Sequence, residues 1–116
     1  MLVEETKIQW QEVCKIQDLI PHAGVSVLLN DQTQVALFYQ PETKLVFAIN
    51  NWDPIGRANV LYRGLMGGVD GEPTVASPLY KHRFSLKHGY CLDDPDADIE
   101  VYKTCIKGQS VQLRTK

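Results

Sequence analysis

The chain has 116 residues, 44% of them hydrophobic and 22% charged, with a formal net charge of −2. This length suits one domain with a core that needs no disulfide or metal support. The slight acidity argues against bulk nucleic-acid binding, which favours a strongly basic face, and no apolar run approaches the roughly 20 residues of a membrane span.

The N-terminal stretch 1–10 carries two acids and no apolar run, so it does not read as a signal peptide. Residues 9–15 alternate, with Trp10, Glu12 and Cys14 on one side and Gln11, Val13 and Lys15 on the other. This is strand chemistry, and it predicts Trp10 in the core. Asp18 is expected to cap a single turn that ends before Pro21, and His22 to lie in a surface loop. Runs 25–29 and 34–38 are β-rich, and Asn30-Asp31-Gln32-Thr33 between them predicts a hairpin. A turn at 41–44 leads into 45–49, Leu-Val-Phe-Ala-Ile, whose composition suits a buried strand.

The apolar run stops at Asn50-Asn51-Trp52-Asp53-Pro54, a loop. Residues 56–71 hold five glycines without a phosphate-binding pattern, so they read as turns in a β-connection. Residues 74–76 form a short strand that enters a second loop around Pro78. A further short strand is centred on Phe84, with a turn at Gly89. The acidic run 93–100 lacks the Gly and Glu that a calcium loop needs at its sixth and twelfth positions, and reads as a solvated loop. Segments 100–106 and 110–114 close the chain as a hairpin about Lys107-Gly108-Gln109. Short strands at close spacing with little helix predict an all-β sandwich or barrel spanning about 8–115, with loops 51–56 and 77–83 at one tip.

Chemistry is sparse along this chain. Cys14, Cys91 and Cys105 are odd in number, widely spaced and without Cys-x-x-Cys, which reads as reduced thiols in a cytoplasmic protein. His82, His88 and Cys91 do not make a zinc set, and Ser77 has no nucleophile-elbow context. No catalytic constellation and no metal site are expected.

The stretch Ser77-Pro78-Leu79-Tyr80-Lys81-His82-Arg83-Phe84, followed by Gly89, resembles the second cluster-binding loop of Rieske iron–sulfur domains, Cys-Pro-x-His-Gly-x-x-Phe. The Asp53-Pro54-Ile55 segment resembles the first, Cys-Pro-His. The four ligand positions therefore read Asp53, Ile55, Ser77 and Tyr80, and these cannot hold a cluster that needs two thiolates and two imidazoles. Further matches are Trp10-x-x-Val13-Cys14, Phe47-Ala48-Ile49-Asn50-Asn51, Leu61-x-Arg63-Gly64-Leu65, Gly89-x-Cys91-Leu92-x-Asp94 and the closing Val101…Gly108-x-x-Val111. Jointly they resemble the small subunit of the assimilatory NAD(P)H-dependent nitrite reductase. That resemblance implies a Rieske-like fold and no cofactor in this chain. It also implies a partner, the large catalytic subunit carrying siroheme, a four-iron cluster and FAD and using NAD(P)H. Trp52, Ile55, Leu79, Tyr80, Lys81, His82 and Arg83 then become the expected docking residues, or alternatively side chains packed inward to fill the cluster's space. A free-standing Rieske-like interaction module, unrelated to nitrite, is the other reading.

Overall fold

A computed structural model describes residues 9–115. Its elements in chain order are strands β1 (Gln9–Lys15), β2 (Gly24–Leu28), β3 (Gln34–Gln40), β4 (Leu45–Asn50), β5 (Trp52–Asp53), β6 (Ala58–Asn59), β7 (Leu65–Val69), β8 (Glu72–Ala76), β9 (Arg83–Ser85), β10 (Val101–Tyr102), β11 (Thr104–Lys107) and β12 (Ser110–Thr115). Two single-turn 3-10 segments, Ile16–Asp18 and Leu61–Arg63, are the helical elements among the described residues. The strands form four antiparallel sheets in the orders β1-β12-β11, β10-β4-β3-β2, β5-β6 and β7-β8-β9. The expected all-β architecture is the observed one. Among the described residues no helix is long and apolar enough to cross a membrane.

Strand β3 explains how two cores coexist. Val35, Ala36, Leu37 and Phe38 are all fully buried, so this strand is covered on both faces. Val35 and Leu37 pack with Leu19, Leu29, Val46, Ala48, Val111 and Leu113. On its other face, Ala36 and Phe38 pack with Ile49, Leu61, Val75, Phe84, Leu86 and Cys91. The second of these clusters underlies the tip.

The structure departs from the sequence reading at several places. Trp10 is 44% exposed and outside the core. A β-bulge between Glu12 and Cys14 breaks the alternation of β1, so Cys14 turns inward beside Val13 while Trp10 and Glu12 face solvent. Asp18 ends its turn rather than beginning it; its carboxylate accepts from the Lys15 N–H at 2.9 Å. The 56–71 stretch holds more than turns, because Leu61 is fully buried in a 3-10 turn and Gly67-Gly68 lie within β7. Segment 100–106 is not one strand. Val101–Tyr102 pairs with β4, and beyond Lys103 the chain crosses to pair with β12.

Two loops emerge at one end. The first leaves β4 through Asn51, whose buried amide accepts from the Tyr62 N–H at 2.8 Å and donates to Gln34 Oε1 at 3.2 Å. The second runs from β8 to β9. Below it Gly89, at φ 86°, is closed on by Ile99: a Cβ there would lie 2.2 Å from the Ile99 carbonyl oxygen. Only glycine fits that approach.

Candidate functional site

Both tip loops use the same local device. In the first, the Asp53 carbonyl accepts from the Arg57 N–H at 2.6 Å. In the second, the Ser77 carbonyl accepts from the Lys81 N–H at 3.0 Å. The leading side chain then caps its own loop. Asp53 Oδ1 accepts from the Ile55 and Gly56 N–H groups at 2.9 and 3.0 Å, and Ser77 Oγ accepts from the Leu79 N–H at 3.2 Å. This is the local side-chain-to-backbone bonding typical of Asp and Ser at turns.

The loops are tied across the tip through one buried carboxylate. Ser77 Oγ donates to Asp53 Oδ2 at 2.5 Å, and His82 Nε2 lies 2.9 and 3.0 Å from Asp53 Oδ1 and Oδ2. Asp53 and Ser77 are essentially inaccessible, and His82 is only 7% exposed. Burial opposes ionisation of Asp53, but the bonds from Ser77, the Gly56 N–H, His82 and the Ile55 N–H outweigh it and hold the carboxyl below its ordinary range. His82 sits edge-on to Phe84, with ring centroids 5.3 Å apart, and stacks under Tyr80 at 6.3 Å. A Cβ at Gly56 would fall 2.4 Å from Leu79 Cδ1, so the two loops also close against each other sterically.

Asp, His and Ser converge here, but not in the order that activates a nucleophile. In a nucleophilic triad the imidazole stands between carboxylate and hydroxyl and takes the hydroxyl proton. Here the carboxylate is central, and the Ser77 hydroxyl is spent donating to it. The cluster is a structural tie.

The sequence-expected site residues divide into two groups. Trp52, Leu79 and Tyr80 are 43, 44 and 70% exposed, and Lys81 is exposed beside them. Ile55 is half-buried against the inner core cluster. His82 is not on the surface, because Asp53 draws it inward. Arg83 is already engaged: its Nε and terminal nitrogen donate to Asp93 at 3.0 and 2.8 Å, and its backbone N–H donates to the same carboxylate. Those bonds hold the Asp93 carboxyl at about 2. Sequence reasoning missed the Asp53–Ser77–His82 tie. Its signal was an acid and a hydroxyl at two positions where thiolates would have met on a shared iron.

The donor set does not fit an iron–sulfur cluster. Asp53 and Ser77 are occupied with each other, Ile55 is a hydrocarbon, and Tyr80 is an exposed phenol stacked on the His82 ring. Among the described residues no group of three or more His, Cys, Asp or Glu side chains is placed to hold a metal ion.

The family model for the Rieske-like [2Fe-2S] domain matches residues 9–114. The nitrite reductase (NADH) small subunit of Escherichia coli K12 is 45% identical over 106 residues, 91% of this chain and 97% of that protein. The chain belongs to the nitrite reductase small-subunit family. The NMR structure of the E. coli protein NirD superposes with a TM-score of 0.84 at 44% identity, covering 94% of this small subunit and 98% of that chain. A Klebsiella oxytoca nitrite reductase [NAD(P)H] large subunit is 35% identical over 102 residues, 88% of this small subunit but only 10% of that much longer protein.

Proposed function

We propose that this small subunit is a non-catalytic component of a cytoplasmic NAD(P)H-dependent nitrite reductase, docking through its tip onto the large catalytic subunit. The observation that carries the reading is the Klebsiella match: a domain similar to this one lies inside a polypeptide named as a nitrite reductase large subunit. A domain found joined to the large subunit in one protein and separate in others is most simply a partner of it. The chemistry of nitrite reduction to ammonia then belongs to the large subunit, with siroheme, a four-iron cluster and FAD expected there. The tip supplies contact area from Trp52, Leu79 and Tyr80, and Trp and Tyr are residue types that favour interface centres. Ile55 supports that surface from below, and His82 and Arg83 shape it through Asp53 and Asp93 rather than by direct contact.

Co-expression with the large subunit of the same organism tests this reading. Stable co-purification is expected, together with faster or longer-lived nitrite reduction by the assembled enzyme than by the large subunit alone. Absence of both would leave a free-standing interaction module. A second expectation concerns this chain alone: anaerobic preparations are colourless and contain no stoichiometric iron or sulfide, because the donors at 53, 55, 77 and 80 cannot ligate a cluster. Two irons and two sulfides per chain would overturn it.

A further inference from the structure

We infer that the tip docks as a pair of cations flanking an apolar centre, so that the partner face it fits is an apolar recess bordered by carboxylates. The inference rests on the docking reading above and specifies the partner's chemistry. Its basis is the shared backbone of the two loops. Each loop has Pro second and, as fifth residue, a side chain held in the left-handed region: Arg57 at φ 61° and Lys81 at φ 63°. Glycine, Asn and Asp take that conformation readily; a long cationic residue takes it at a cost. The cluster-loop motif matched by 77–84 carries Gly at the position of Lys81. Lys81 therefore carries a charge on a backbone conformation that suits glycine, as Lys44 at φ 57° does in the 41–44 turn.

The charges are not used internally. Arg57 and Lys81 are exposed, and neither forms an ion pair or side-chain hydrogen bond among the described residues. Other cations nearby are engaged, Arg83 on Asp93 and Arg63 on Tyr62 by a hydrogen bond at 2.9 Å and a ring contact at 5.4 Å. The exposed Leu79 lies against Gly56, the neighbour of Arg57, and the exposed Tyr80 immediately precedes Lys81. Beyond Trp52 the sign reverses: a cleft of about 390 Å³ is walled by Asn50, Trp52, Pro54, Asp98, Ile99 and Glu100. A face that is cationic on the loops and anionic past Trp52 admits one orientation of a complementary partner. Exposed charges around an apolar contact act chiefly on encounter, so they set the association rate and its salt dependence more than the dissociation rate.

Glycine substitution removes each charge at a backbone conformation that glycine adopts without steric cost. Binding kinetics of the immobilised large subunit are measured for the wild type, R57G, K81G and the double variant across a range of ionic strength. The double variant is expected to associate roughly tenfold more slowly at low salt, to lose most of its salt dependence, and to dissociate within about twofold of wild type. Its melting temperature should be no lower than wild type. A double variant that associates as fast as wild type, with the same salt slope, overturns the inference while leaving the docking reading intact. A wild type that does not bind the large subunit at all overturns both.

Discussion

Asp53→Ala is expected to destabilise the isolated subunit by about 3–5 kcal/mol, because it removes the one acceptor for a set of buried donors. Ser77 Oγ, His82 Nε2 and the Ile55 and Gly56 N–H groups all point at this carboxylate, and it is wholly buried. The first loop loses its cap and both loops lose their cross-tie in one change. For a domain of this size the melting temperature should fall by roughly 12–20 °C. Thermal unfolding followed by circular dichroism checks it; a fall of less than about 4 °C would show that the tie contributes little. Asp53→Asn keeps the shape and one acceptor oxygen, so a smaller loss is expected. The pH dependence separates charge from shape. The Asp53 carboxyl is held below its ordinary value in the folded chain, so its contribution is present above the unfolded value near 4 and lost as pH falls through the folded value. Asp93 acts in the same direction through Arg83. The wild type should therefore lose stability steeply below about pH 4, and Asp53→Asn should lose less over that interval.

The second large effect is on assembly. Tyr80→Ala combined with Trp52→Ala is expected to weaken binding to the large subunit by roughly a hundredfold or more, the scale of losing two aromatic hot spots. Tyr80 is 70% exposed in the free chain, so its removal should leave the melting temperature nearly unchanged. Trp52 is the more embedded of the two, and the single variants divide its share of stability from its share of binding. Titration calorimetry or surface-bound kinetics gives the affinity. Nitrite reduction should drop in parallel whenever subunit concentrations lie below the new dissociation constant. Unchanged affinity with both rings gone would move the docking face elsewhere. Arg83 is a poor substitute for Tyr80 in this experiment. Its guanidinium already holds Asp93, so Arg83→Ala acts on the folded chain first.

Joining a domain to its partner in one polypeptide raises its effective concentration, and a separate subunit must achieve the same occupancy through contacts alone. On the docking proposed above, the exposed Leu79 and Tyr80 are contacts of that kind.

Much of this was written locally. The strand runs 34–38 and 45–49, the hairpin turn at 30–33 and the loops at Pro54 and Pro78 follow from period-two patterns and turn residues, whose causes lie within a few positions. The identities of the residues at the four ligand positions are also sequence facts, and they alone argue against a cluster. Other features needed the folded chain. Trp10 faces solvent because a bulge at Glu12 shifts the pairing with β12, and nothing in the sequence of β1 marks it. The break at Lys103 arises because two different sheets claim the strands on either side. Asp53 meets Ser77 and His82 across 24 and 29 positions, so no local pattern could pair them. His82 read as a surface charge beside Lys81, and only the buried carboxylate opposite turns it inward. Periodicity fixes which way a side chain leaves its own backbone; what it meets there is set by the packing of distant segments, and at this tip that packing made a structural tie from residues that resemble a failed metal site.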